Sequence, residues 1–135
     1  MIRRKEECTY EVVKAMRDGP GEVAKTSFAS KEEMLGNARM FANLHFEPGC
    51  GIGKHDHNDE IEIFYVDKGE LTYYEDDQEY IIKQGDIAIL ESGHSHSVIN
   101  KSNQPADLIA IILLDRKWRK SFFILRLMSH QWILW

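Results

Sequence analysis

The chain has 135 residues, of which 43% are hydrophobic and 29% are charged, and its formal net charge is −5 at pH 7. This length fits one domain with one core, and the composition excludes a disordered or fibrous chain. The acidic balance argues against nucleic acid as the main partner, and no apolar run is long enough for a membrane-spanning helix.

Residues 1–36 carry little hydrophobic periodicity and predict a short N-terminal arm that packs on the main domain or on a partner subunit. Residues 10–16 fit either a short strand or a helical turn, and the Asp-Gly-Pro-Gly sequence at 18–21 ends that segment. Ser30 is a suitable N-cap for one helical turn over residues 31–35.

From residue 38 onward, short alternating or β-branched segments are separated by turn residues. They predict strands at 40–46, 61–66, 71–74, 79–83, 87–90, 95–100 and 108–114. Strands this short and evenly spaced predict an all-β domain over residues 37–115, either an antiparallel sandwich or a closed barrel. The strand pattern predicts that Phe46, Phe64, Ile89 and Val98 belong to its core.

Four of the six histidines form two His-x-His pairs, at residues 55/57 and 94/96. Side chains two residues apart on a strand face the same side, roughly 6.5–7 Å apart along the backbone, so a pair can converge on one ion. Glu62 shares a predicted strand face with Phe64 and Val66, where an unpaired carboxylate would be costly. Imidazole nitrogens with one carboxylate suit a divalent transition metal, whereas magnesium and calcium prefer oxygen ligands.

Residues 49–100 resemble the two motifs of the cupin superfamily. The first, G-x5-H-x-H-x4-E-x6-G, is matched throughout, by Gly49, His55, His57, Glu62 and Gly69. The second, G-x5-P-x-G-x2-H-x3-N, is matched by Gly85, Gly93, His96 and Asn100, with Glu91 in place of the proline. The chain looks most like the small single-domain bacterial cupins of the cupin 2 conserved-barrel type.

This resemblance implies a single double-stranded β-helix, the jelly-roll or cupin barrel, with a short N-terminal arm. It also implies one divalent transition metal ion, manganese or iron before nickel, zinc, copper or cobalt, with the ligands His55, His57, Glu62 and His96. Glu60 lies on the same strand face as Glu62 and is an alternative ligand. A solvated polar loop is the alternative for residues 55–59.

Three histidines and one glutamate leave open positions on an octahedral ion, where a ligand can bind. The resemblance therefore implies a protein that binds or transforms a small carboxylate or enediol, as oxalate decarboxylases and some dioxygenases do. Candidates for a catalytic acid or base are Glu60, His94 and Tyr73, and Arg39 is the arginine of the barrel region that could hold a carboxylate. The alternatives are a non-enzymatic metabolite- or metal-sensing module and a sugar isomerase or epimerase.

We further expect a homodimer, because small cupins usually pair through an N-terminal arm. Cys8 and Cys50 are too few for a disulfide framework, and no apolar segment follows the basic start, so we expect a cytoplasmic protein without a signal peptide. Residues 116–135 contain five Lys or Arg residues, no acid and all three tryptophans. One interpretation of this basic, aromatic tail outside the barrel is an amphipathic helix that binds a membrane surface or a partner protein. The other, which we favour, is an extension beyond the domain without such a role.

Overall fold

The computed structural model describes residues 1–115, and within them the regular structure is almost entirely β-strand. Single 3₁₀ turns occur at Lys5–Glu7 and Met16–Asp18. The strands are β1 (Thr9–Lys14), β2 (Glu22–Ser27), β3 (Ala38–Phe46), β4 (Gly51–His57), β5 (Glu60–Lys68), β6 (Glu70–Glu75), β7 (Gln78–Lys83), β8 (Ile87–Leu90), β9 (His94–Ile99) and β10 (Ala106–Leu114).

The strands form two antiparallel sheets. The larger has the order β1-β2-β3-β10-β5-β8, and the smaller has the order β4-β9-β6-β7. Because chain neighbours β3 and β4, and also β5 and β6, lie in different sheets, the chain passes repeatedly from one sheet to the other. The predicted all-β double-stranded fold is confirmed.

The core lies between the sheets and follows from the alternation of each strand. On β10, for example, Leu108 and Ile112 are buried, whereas Ile109 and Ile111 on the opposite face are only partly so. The buried hydrophobic side chains that pack as one cluster are Val23, Leu44, Phe46, Ile52, Phe64, Val66, Leu71, Tyr73, Ile82, Val98, Ala106, Leu108 and Ala110.

Ile89 was wrongly predicted to belong to the core, since its side chain is 56% exposed. β8 is the edge strand of the large sheet, and Leu90, next to Ile89 in the chain, is the residue that faces inward, with 1% exposure. Four apolar residues in a row do not reveal which two point into the core, so only the pairing of β8 with β5 decides this.

The first 36 residues are more regular than their sequence suggests. β1 pairs with β2, and β2 pairs with β3, so this segment extends the large sheet. At Ser30 the hydroxyl accepts a hydrogen bond from the backbone of Glu33, and the Glu33 carboxylate accepts one from the backbone of Ser30. This reciprocal pair is the capping box expected for a helical turn. The division into an arm and a barrel stays a prediction.

The tail at 116–135, with its predicted membrane or partner contact, lies outside the described residues. Within residues 1–115, no helix has the length and apolar character needed to cross a bilayer. Cys8 and Cys50 are both free thiols.

Candidate metal centre

The structure brings together the four predicted ligands from three strands. His55 and His57 lie on β4 and His96 on β9, in the small sheet, whereas Glu62 lies on β5 in the large sheet. The centre therefore sits between the sheets, and His57, Glu62 and His96 are 4% exposed or less. The pairing of β4 with β9 sets His55 directly opposite His96.

The Nε2 atoms of the three histidines and one carboxylate oxygen point to a common centre. The Nε2 atom of His96 lies 3.1 Å from that of His55 and 3.2 Å from that of His57. The Oε2 atom of Glu62 lies 2.9 Å from both His57 Nε2 and His96 Nε2, and 4.0 Å from His55 Nε2. All four ligand atoms fall within 4.8 Å of one another.

The other ring nitrogen of each histidine is held by a hydrogen bond that fixes its orientation. His55 Nδ1 donates to the carbonyl oxygen of Gly53 at 2.8 Å, and His57 Nδ1 donates to Glu60 at 2.7 Å. Both partners can only accept, so the proton of the neutral ring sits on Nδ1 and the Nε2 lone pair faces the centre.

His96 is held in the same way through a hydroxyl group. Its Nδ1 lies 3.3 Å from the hydroxyl oxygen of Tyr73, and that hydroxyl lies 3.2 Å from the Glu75 carboxylate. Because the Tyr73 hydroxyl donates to Glu75, its oxygen accepts the Nδ1–H of His96. Burial, together with Glu75, raises the pKa of Tyr73, which keeps this hydroxyl protonated.

Burial and the carboxylates of Glu60 and Glu62 act on the charges of the centre in opposite directions. Burial lowers the pKa of His55. Burial opposes charge on Glu62 too, but the contacts of its carboxylate with His57 and His96 outweigh burial and lower the pKa of that carboxyl. For His57, hydrogen bonds to Glu62 and Glu60 outweigh burial and raise its pKa.

The donor set fits a divalent transition metal. Three nitrogen lone pairs and one carboxylate face one point, an arrangement that repels itself unless a cation or proton occupies the centre. With metal–ligand bonds of about 2.1 Å, adjacent ligand atoms of an octahedron are about 3.0 Å apart. Four of the measured separations, 2.9 to 3.2 Å, are close to that value.

An apolar wall supports the centre from behind. The ring of Phe64 stacks on that of His96, with centroids 5.2 Å apart and planes at 13°. Phe64 is 2% exposed and lies on the same face of β5 as Glu62, as its spacing predicts. This packing excludes water from one side of the ligands.

The three candidates for a catalytic acid or base occupy different positions. Glu60 is not among the four converging residues; it accepts from His57 and from Arg39, at 2.7 Å from Arg39 Nε and 2.6 Å from Nη2. Tyr73 contacts His96 as described above. His94, the first residue of β9, is exposed, hydrogen-bonds Asp76 and is not among the four converging residues.

A cavity of about 230 Å³ opens onto the centre and is lined by His55, His57 and Glu62. Three basic residues, Arg17, Lys25 and Arg39, also line it. The remaining wall is apolar, formed by Val13, Met16, Met40, Leu44, Ile52 and Ile112. Sequence reasoning missed Arg17 and Lys25, because nothing in the weakly patterned N-terminal segment indicates that it folds over the cavity.

Three comparisons relate this site and fold to known proteins. A family model described as Cupin domain matches residues 42–112. An oxalate-binding protein of Thermotoga maritima is 39% identical over 114 residues, which is 84% of this chain and 94% of that protein. The crystal structure of a predicted oxalate decarboxylase from the same organism superposes with a TM-score of 0.81 at 38% identity, covering 84% of this chain and 99% of that one. An uncharacterized HTH-type transcriptional regulator of Escherichia coli is 35% identical over 60 residues, 44% of this chain and 20% of that protein.

Proposed function

The chain belongs to the Cupin domain family, and from this premise we propose that it binds one manganese or iron(II) ion and, on that ion, binds and acts on a small carboxylate or enediol metabolite. The observation that carries the proposal is the convergence of three histidine Nε2 atoms and one Glu62 oxygen on a common point. In His55 and His57 the ring proton sits on Nδ1, which is hydrogen-bonded on the side away from that point. The similarity to an oxalate-binding protein over most of both chains supports a carboxylate ligand.

A bound ion would act as a Lewis acid with open positions for a chelating ligand. The chain's own residues orient the donors and shape the space around them. Glu60, the Gly53 carbonyl and Tyr73 hold the histidine rings in place. The apolar residues that line the cavity limit the access of water. A cavity of about 230 Å³ has room for a small ligand of up to roughly ten non-hydrogen atoms, since a cavity of about 150 Å³ can hold benzene.

Metal content tests the first part of this proposal. We expect the protein, purified without added metal and then loaded with manganese or iron(II), to retain about one ion per chain by inductively coupled plasma mass spectrometry. His57→Ala, Glu62→Ala and His96→Ala should each abolish that stoichiometry. His45→Ala is the matched control, since His45 lies on the outer face of β3 and pairs with Asp107 and Glu47. Unchanged metal content in the ligand variants would contradict the proposal.

Turnover tests the second part. If the protein is a decarboxylase, the loaded form converts oxalate to formate and carbon dioxide, which proton-decoupled carbon NMR of labelled oxalate resolves. If it is a dioxygenase of an enediol, it consumes dissolved oxygen when given that substrate. Rates far below those of enzymes for every such substrate would remove the catalytic half of the proposal.

A second candidate, binding without turnover, is favoured by the state of the acid–base residues. Glu60 is engaged by both Arg39 and His57, Tyr73 stays protonated, and His94 is exposed and hydrogen-bonded to Asp76. Retention of a metabolite through purification, with no product formed on incubation, would support this sensing role.

We also propose a homodimer in the cytoplasm. On the outer face of the large sheet, Tyr65, Ile87 and Ile89 are 43%, 61% and 56% exposed, and Tyr65 pairs directly with Ile87. Clustered apolar side chains of this kind mark association surfaces. Sedimentation equilibrium should give a dimer at micromolar concentration, and Ile89→Lys should shift it toward monomer; a monomeric wild type would contradict the prediction.

A further inference from the structure

The N-terminal segment forms one wall of the metal-site cavity through the turn at residues 15–20. Met16 and Arg17 of this turn line the cavity beside His55 and Glu62. Met16 also packs against the hydrophobic core. The wall is therefore part of the folded domain, although it is distant in sequence from every predicted ligand.

Close backbone contact fixes this turn on β4. A Cβ atom on Gly53 would overlap the carbonyl oxygen of Arg17, and one on Gly19 would lie 2.5 Å from the carbonyl oxygen of Gly51. The Gly51 backbone also donates to the Pro20 carbonyl at 2.9 Å. Only glycine at these positions lets the turn lie flat on the strand that carries two of the metal ligands.

The backbone of the turn is strained at Arg17 and on both sides of it. Ala15, Arg17 and Asp18 have φ angles of 47°, 51° and 61°, in the left-handed region that such residues rarely adopt. Strain of this kind persists only where surrounding structure over-determines it, and it concentrates at binding sites. Here the hydrogen bonds of the turn and the glycine contacts supply that support.

Arg17 differs from the other two basic residues that line the cavity. Lys25 pairs with Glu11 at 2.6 Å, and Arg39 pairs with Glu60 at 2.6 Å. Within residues 1–115, no carboxylate lies within ion-pair distance of Arg17. Among the three basic residues that line the cavity, Arg17 is therefore the one that no described carboxylate pairs with.

The charges around the cavity indicate what that ligand carries. The charges of Lys25 and Arg39 are balanced by their glutamate partners, and the remaining lining charges, one positive on Arg17 and one negative on Glu62, sum to zero. The two positive charges of a bound divalent ion then remain uncompensated. A small dianion would neutralise them, whereas a monoanion would leave the buried centre charged.

We propose that Arg17, positioned by the turn over β4, is a specificity-determining residue that binds the second anionic group of a small dianionic ligand chelated at the His–Glu centre. This inference rests on the proposed function, because it needs the ion at the centre. It adds to that function a residue from the N-terminal segment and a preference for doubly charged over singly charged chelating acids.

The test compares oxalate, a dianion, with glycolate, a chelating monoanion, by isothermal titration calorimetry on the manganese-loaded full-length protein. We expect the wild type to bind oxalate more tightly than glycolate. Arg17→Gln should weaken oxalate binding about tenfold and glycolate binding much less, because it removes a charge-assisted hydrogen bond to one ligand only. Arg17→Lys keeps the charge but loses the planar guanidinium with its two parallel donors, so its oxalate affinity should lie between those of wild type and Arg17→Gln.

Arg4→Gln is the matched control, since it removes the same charge from the N-terminal segment outside the lining of the cavity. The ratio of the two affinities in one sample does not depend on the folded fraction, so partial misfolding of a variant cannot imitate the effect. Manganese content is measured on every sample. If the wild type holds no manganese, the proposed function fails and this inference fails with it. If manganese is held but wild type shows no preference for oxalate, or Arg17→Gln keeps that preference, only the Arg17 assignment is overturned.

Discussion

The hydrogen bonds behind the metal ligands should control metal affinity, and Glu60→Gln tests this with a minimal change of shape. The Glu60 carboxylate accepts three charge-assisted or ring N–H hydrogen bonds, one from His57 and two from Arg39, at 2.6 to 2.7 Å. One carboxylate oxygen, Oε1, accepts from both His57 Nδ1 and Arg39 Nη2, and the other accepts from Arg39 Nε. A glutamine whose amide oxygen takes the Oε1 position keeps the bond from His57, but its N–H₂ faces Arg39 Nε and the negative charge behind the His57 ring is lost.

The size of the effect follows from those contacts. Replacing a residue that hydrogen-bonds a metal-ligating histidine typically costs 10- to 100-fold in metal affinity, or about 1.4 to 2.7 kcal/mol. We expect the lower part of this range, because the bond from the buried His57 ring can be kept while the carboxylate charge behind it is lost. The loss should be in affinity, with stoichiometry restored at saturating manganese.

Competition with a fluorescent chelator measures the manganese dissociation constant for wild type and variant. Glu47→Gln is the control, because Glu47 also contacts a histidine, His45 at 3.0 Å, but on the outer surface of the barrel. Equal manganese affinity in Glu60→Gln and wild type would refute the reasoning that the Nδ1 partner of His57 prepares the site. An equal loss of manganese affinity in Glu60→Gln and Glu47→Gln would refute the claim that the effect is specific to the residue behind the metal ligands.

Three further outcomes are expected. Chelation of the metal should lower the melting temperature, since an ion at 100 times its dissociation constant stabilises the fold by about 2.7 kcal/mol, and an unchanged transition would contradict this. Phe64→Ala should cost about 3 to 5 kcal/mol in urea unfolding, because Phe64 is 2% exposed and stacks on His96, whereas a loss below about 1 kcal/mol would show that the wall can collapse. His45, whose pKa is raised above 6.5 by hydrogen bonds to Glu47 and Asp107, should stabilise the fold fully below pH 6.5 and lose that contribution as pH rises through its folded pKa. An NMR titration in wild type and Asp107→Asn checks this, and a His45 midpoint below 6.5 in wild type would be inconsistent with it.

The strands that carry the site were predictable because their signals are local. Alternation identified β3, and β-branched, aromatic or apolar runs identified β5 and β10. The resemblance of residues 49–100 to the two cupin motifs identified the four residues that converge. The error at Ile89 shows the limit of such signals. A short run of apolar residues gives no direction to its side chains, so the exposed face of β8 follows only from its pairing with β5.

By itself, the sequence determined the fold class and the ligand residues of the centre, because the strand pattern is local and the two motifs that resemble those of cupins can be recognised along the chain without the structure. The tertiary structure decided how that centre is supported and what surrounds it. The bonds from His57 to Glu60 and from His96 to Tyr73, and the position of Arg17 over the cavity, depend on strands far apart in the chain. Their proximity results from sheet pairing and from glycine contacts between segments, neither of which leaves a periodic signal in the sequence.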